Sequence, residues 1–201
     1  MSGRPYRLTT GGARVDRSRK LGFSFDGRNL TGFAGDTVAS AVMASGQRVF
    51  GRSFKYHRPR GLVGLGVEEM NALVGVGDAN RHEPNLRATQ VELHEGLVAT
   101  SQNRWPSLTF DVGAINSLFS RFFSGGFYYK TFMWPKRFWK HVYEPVIRRA
   151  AGLGKAPEGR DPDIYEHIHV HCDVLVIGAG VAGLAAAEAA AQAGARVVIA
   201  D

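Results

Sequence analysis

Residues 173–201 read DVLVIGAGVAGLAAAEAAAQAGARVVIAD, and no other stretch narrows the choice of fold as much. Val174–Ile177 is an unbroken apolar run, the pattern of a strand buried on both faces. Gly178, Gly180 and Gly183 follow at the spacing G-x-G-x-x-G. The first glycine permits a tight turn, the second leaves room for a pyrophosphate against the backbone, and the third lets helix and strand pack closely. Leu184–Ala193 is alanine-rich and helix-prone, with Gly194 as its stop. Arg196–Ala200 predicts a second strand. Asp201 stands at its end, where a carboxylate accepts hydrogen bonds from ribose hydroxyls. A glycine fingerprint alone is weak, but a strand before it, a helix after it and an acid closing the next strand make it specific. The segment is expected to be the first β-α-β part of a Rossmann dinucleotide-binding domain, truncated after its second strand. It would hold the ADP part of NAD, or alternatively of FAD, at Gly178, Ala179, Gly180, Val181, Ala182, Gly183 and Asp201. Asp201 argues against NADP, whose 2′-phosphate it would repel. Such a fold needs at least a third parallel strand, so the chain is expected to be a fragment or to be completed by another polypeptide.

At 201 residues the chain has room for one or two domains. No stretch approaches the roughly 18 to 20 uninterrupted apolar residues of a membrane span. The N-terminus has no apolar run after its basic residues, which excludes a secretory signal, and a cytoplasmic location is expected. The single cysteine, Cys172, allows no internal disulfide and reads as an inert packed thiol. The net charge of +7 is concentrated early: residues 1–60 hold twelve Lys or Arg against three Asp or Glu, a balance of +9. No nucleic-acid module accompanies that charge, so no nucleic-acid partner is expected.

Residues 1–20 read as an N-terminal arm. Residues 21–100 read as a small α+β unit. Leu21, Phe23 and Phe25 alternate as a strand, Asp26-Gly27 signals a turn, and Arg28–Phe33 pairs back as a hairpin. Asp36 is the expected N-cap of a helix carrying Val38, Ala41 and Val42 and stopping at Gly46. Arg48–His57, Ala72–Val76 and Gln90–Leu97 are expected strands. Two strands, a helix and further strands is the order of a β-grasp domain.

Residues 101–172 differ in character. They hold all three tryptophans (Trp105, Trp134, Trp139), with Phe127, Tyr128, Tyr129, Phe132 and Phe138 interleaved with Lys130, Lys136, Arg137 and Lys140. Stacking on single-stranded nucleic acid would use such a mixture. Burial against a neighbouring domain or subunit explains it better, because aromatics supply large rigid contact area. His167, His169 and His171 alternate along a run that, as a strand, would aim all three one way. A solvated linker accounts for them without metal. Lys55, His57 and Arg58 form a basic patch with Phe54 and Tyr56, and no carboxylate partner for His57 is evident in the sequence. Subunit contact or phosphate contact is expected there.

Several unusual segments together resemble the alpha subunit of heterotetrameric sarcosine oxidases: GRSFKYHRPRG (Gly51–Gly61), NRWPSL (Asn103–Leu108), GFYYKTFMWP (Gly126–Pro135), YEPVIRRAAGLG (Tyr143–Gly154) and the glycine fingerprint. The alpha subunits of related amino-acid dehydrogenases share the architecture more distantly, and a noncatalytic assembly module is a further alternative. The resemblance implies a ferredoxin-like β-grasp domain followed by an NAD-binding domain. It implies beta, gamma and delta partner subunits, tetrahydrofolate as a partner through a C-terminal domain this chain lacks, and flavin mononucleotide near a subunit interface. The complex demethylates sarcosine oxidatively to glycine. In that family the amine-oxidising FAD lies on the beta subunit, so no catalytic residue and no metal ligand is carried over, and the isolated chain is expected to be inactive. Related ferredoxin-like domains place cluster cysteines in RGxxCGxGxCxxC. Here Arg60 opens RGLVGLGVEEMNALV, and Gly64, Glu69 and Ala72 fall on the cysteine places. No iron–sulfur cluster is therefore expected.

Overall fold

A computed structural model describes residues 6–12, 14–122, 125–126 and 132–201. It divides into two compact units, Met1–Pro162 and Asp163–Asp201.

The first unit is built on a five-stranded mixed sheet. β1 (Asp16–Phe25) and β2 (Arg28–Ala34) form an antiparallel hairpin. Its two turn residues, Asp26 and Gly27, have φ of 50° and 75°, the left-handed pair that matches strand twist. After β2 come α1 (Val38–Ala44), the two-residue strands β3 (Gly51–Arg52) and β4 (Pro59–Arg60), then β5 (Leu73–Val76), β6 (Glu83–Arg87) and β7 (Leu97–Ser101). The sheet order is β2-β1-β7-β5-β6, with β1 and β7 parallel and every other pair antiparallel. The alternation of Leu21, Phe23 and Phe25 puts all three in the core. There they join Val38, Ala41 and Val42 of α1 and Phe50, Val74, Leu97 and Ala99. Phe25 and Phe50 meet edge to face, with centroids 6.1 Å apart.

Four local expectations differ from what forms. The stretch expected as an arm is partly sheet: β1 begins at Asp16, its polar first half lying on the exposed end of the hairpin behind a bulge between Asp16 and Lys20. The N-cap of α1 is Thr37, not Asp36. Thr37 Oγ1 accepts from Ser40 N at 3.2 Å while Ser40 Oγ accepts from Thr37 N at 3.0 Å, a reciprocal capping box. Asp36 is drawn inside, where its carboxylate takes both arms of the Arg7 guanidinium at 2.9 and 2.6 Å, Phe33 N at 2.9 Å and Ser40 Oγ at 2.7 Å. The strand expected over Arg48–His57 shortens to Gly51–Arg52, because the chain turns at Ser53, whose carbonyl accepts from His57 N. Residues 90–96 are not a sheet strand. Val91 O accepts from Val38 N and Leu93 N donates to Asp36 O, so this backbone closes over the start of α1, and the strand begins at Leu97. β6, EPNLR, is an edge strand whose exposed, mostly polar pattern carries no apolar alternation to mark it in the sequence.

Beyond β7, Val112–Ser117 and Ser120–Phe122 are tight helical turns, and α2 (Glu144–Ala150) follows a π-helical turn at Trp139–Tyr143. Trp105, Trp134 and Trp139 are 65%, 80% and 50% exposed. Phe127, Tyr128, Tyr129 and Lys130 lie outside the described residues.

The second unit is a β-α-β hand: β8 (Val174–Ile177), α3 (Val181–Gln192) and β9 (Val197–Ala200), the two strands parallel and in register from Val174↔Val197 to Ile177↔Ala200. The His167–His171 run carries no strand, so the alternation that would have aimed three imidazoles together has no ladder to impose it. Cys172 is half-buried. Among the described residues no helix is long and apolar enough to cross a membrane.

Candidate functional site

The glycine turn of the second unit brings together Gly178, Ala179, Gly180, Val181, Ala182, Gly183 and Asp201. Gly178, at φ +97°, makes the reversal out of β8, and its N–H donates to Ala200 O at 2.6 Å. Gly180 is the N-cap of α3. A β-carbon on Gly180 would meet nothing within 4 Å, whereas one on Gly183 would fall 1.9 Å from Gly178 O. The two glycines therefore do different work: Gly183 lets the helix touch the turn, and Gly180 leaves the space before the helix open. The first turn of a helix presents N–H groups without intrahelical partners, and its dipole favours negative charge there. Asp201 Oδ1 accepts from Ala179 N at 2.9 Å, so the acid closing β9 also tethers the turn. Asp173 acts likewise at the far end, accepting from Arg196 N at 2.8 Å.

A second constellation lies in the loop after β4. Glu69 is 1% exposed. Its Oε2 accepts from Val63 N and Gly64 N at 2.7 and 2.8 Å, and its Oε1 from Asn71 N and Ala72 N at 2.6 and 3.2 Å. Burial pushes this carboxyl up, but the N–H groups of Asn71, Gly64, Val63 and Ala72 together outweigh it, and the net shift is downward. The neighbouring Glu68 accepts from Leu65 N and Gly66 N. The loop is thus folded around a carboxylate at the centre of its own backbone donors.

The third is His57, for which the sequence shows no partner. Its Nδ1 lies 3.0 Å from Asp111 Oδ2, and the Asp111 side chain is fully buried. Asp111 Oδ1 accepts from Gly113 N at 2.8 Å. Arg52 Nη1 donates to His57 O, its Nε donates to Leu108 O, and it stands 3.8 Å from Asp111 Oδ2. A separation of 54 residues hides this pair from any local pattern. The available signal was Asp111 itself, a lone acid between Phe110 and Val112. Lys55 and Arg58 both stand 5.0 Å from the ring of Tyr56.

Residues 18–104 match the 2Fe-2S iron-sulfur cluster binding domain. Residues 166–201 match the alanine dehydrogenase/PNT C-terminal domain. Over 196 residues, 98% of the chain, the sequence is 62% identical to sarcosine oxidase subunit alpha of Rhizobium meliloti (strain 1021). The chain belongs to the sarcosine oxidase alpha-subunit family. It is also 38% identical over 204 residues to sarcosine oxidase subunit alpha of Corynebacterium sp. (strain U-96). It spans 20% of the length of the first of these relatives and 16% of the second. A crystal structure of L-proline dehydrogenase from P. horikoshii is 20% identical, with a TM-score of 0.36 over 45% of this chain and 17% of that one.

These findings correct the cofactor expectation. A cluster-binding family matches the N-terminal unit of this sarcosine oxidase alpha-subunit chain, which overturns the expectation that no iron–sulfur cluster belongs to it and that NAD is the main cofactor. That expectation weighed three ligand positions, whereas the match rests on the whole stretch from residue 18 to 104. The side chains at those positions are Gly64, Glu69 and Ala72, and the one cysteine, Cys172, lies outside the matched stretch, so residues 18–104 supply no thiolate to such a cluster.

Proposed function

We propose that this chain is a nucleotide-binding and assembly portion of the alpha subunit of an amine-oxidising flavoenzyme complex that demethylates sarcosine to glycine. The observation that carries the reading is 62% identity over 98% of the chain to a protein named sarcosine oxidase subunit alpha. Within it, the turn at Gly178–Gly183 with Asp201 receives the ADP part of a dinucleotide, as the start of a Rossmann domain. The open space at Gly180, the helix N-terminus behind it and the carboxylate at the end of β9 support that role. Residues 21–100 form the ferredoxin-like β-grasp domain. The aromatic and basic stretch 101–172 serves as the docking surface for beta, gamma and delta subunits, supported by the exposure of Trp105, Trp134 and Trp139. The one-carbon unit passes to tetrahydrofolate elsewhere in the complex. The oxidation itself belongs to partner subunits, and the residues described here bind and position.

Calorimetric titration of ADP-ribose into the chain and into the assembled complex tests the nucleotide role. Saturable binding that Gly180→Val removes without altering the melting temperature is the expected result. No saturable binding to either form overturns it.

A further inference from the structure

His57, between β3 and β4, and the basic end of α2 line one cavity within the stretch proposed above as a docking surface, and the docking role gives His57 no task. The cavity's volume is about 1460 Å³, and it is lined by His57, Arg104, Trp105, Arg148, Arg149 and Leu153 among others. All of these residues belong to the first unit. The segment 152–154 that lines one side of the cavity is held tightly. Gly152, at φ +71°, lies so near Asn103 that a β-carbon there would fall 2.0 Å from Asn103 Cβ. Gly154 N donates to Asn85 Oδ1 at 2.8 Å.

The charges around the cavity do not cancel. Arg104 is paired with Asp26 at 2.9 Å and Arg148 with Glu144 at 2.6 Å. Arg149 has no ion-pair partner among the described residues and is exposed. His57 is held in a conformation that few side chains tolerate, φ 49°, by Ser53 O on its N–H and Arg52 on its carbonyl. Residues kept in such conformations by their surroundings concentrate at binding and active sites. Asp111 engages Nδ1, so Nε2 is the ring nitrogen left to meet a ligand, donating to an anionic oxygen or accepting from a protonated one. Trp105 and Leu153 supply apolar surface beside these polar groups, the mixture that small-molecule sites use.

We propose that this cavity binds a small organic anion with an apolar body, a phosphate or a carboxylate, whose acid group is held by Arg149 and His57 Nε2 and whose body packs against Trp105. Arg149 and His57 are the recognition residues, and Asp111 is a positioning residue that fixes the ring.

Isothermal titration with phenyl phosphate and with benzoate tests this on the wild-type protein and on Arg149→Gln, His57→Asn and Lys20→Gln. Lys20 is exposed on β1 and serves as the charge control. Asparagine accepts the left-handed backbone at position 57, which preserves the fold. Thermal melting of each variant is recorded in parallel. The expected result is saturable binding of at least one ligand, weakened about tenfold or more by Arg149→Gln and by His57→Asn and unchanged by Lys20→Gln. Tighter binding of phenyl phosphate assigns a phosphate ligand, and tighter binding of benzoate a carboxylate. No saturable binding of either at millimolar concentration overturns the proposal. So does binding that Arg149→Gln leaves intact, or that Lys20→Gln weakens equally.

Discussion

Replacing Glu69 by glutamine changes one oxygen into an amide nitrogen and little else, so its effect can be worked from the four hydrogen bonds the carboxylate accepts. Two of the four N–H donors, either Val63 and Gly64 or Asn71 and Ala72, would then face an NH2 group that cannot accept. Leaving a buried donor unsatisfied costs about 1–3 kcal/mol, so Glu69→Gln is expected to destabilise the first unit by roughly 2–6 kcal/mol. At about 2–4 °C per kcal/mol for a unit of this size, the melting temperature should fall by roughly 5–20 °C. The pH dependence has a definite sign. The folded-state pKa of Glu69 is depressed below its ordinary value of 4.5. Its contribution is therefore fully present above that value and fades as pH falls through the lower folded-state pKa. Wild-type melting temperatures should drop faster than those of Glu69→Gln on acidification below about pH 5. Differential scanning calorimetry between pH 3 and pH 7 reads both effects. A shift under about 3 °C at pH 7, with parallel acid limbs, would show that the loop does not depend on this carboxylate.

Three shorter expectations follow from other contacts. Gly183→Ala should disrupt the second unit, because the added carbon meets Gly178 O, whereas Gly180→Val should fold normally and lose only nucleotide binding; circular dichroism with ADP-ribose titration separates the two. Asp201→Ala should weaken ADP-ribose binding, since it removes the carboxylate proposed to meet the ribose and the tether on Ala179 N; unchanged affinity would remove the acid from the site. Arg7→Ala should destabilise the first unit by about 3–5 kcal/mol, because the fully buried Asp36 carboxylate loses its guanidinium partner, and chemical denaturation would measure the loss.

What could be read in advance depended on the range of the interactions. The β1–β2 hairpin was legible because strict alternation at Leu21, Phe23 and Phe25 meets an Asp-Gly turn whose backbone demand is local. The glycine turn was legible for the same reason, its geometry being set within six residues. The cap of α1 was misplaced by one residue because Asp36 is pulled away by Arg7, a contact spanning 29 positions. The Asp111 partner of His57 lies 54 positions away. In the sequence Glu69 stands only on one of the cysteine places, and the folded loop alone reveals four backbone donors converging on it. Residues 90–96 show the remaining failure: their apolar residues are buried as a strand's would be, but the backbone bonds to the start of α1.

Arg52 has a consequence for how the first unit opens. Its guanidinium grips Leu108 O and His57 O, and its own carbonyl accepts from Asn103 Nδ2. One residue on a two-residue strand thus ties three places together into a single cooperative unit, its side chain holding His57 and Leu108 and its main-chain carbonyl holding Asn103. Their amides should exchange with solvent together and on the slow timescale of β3.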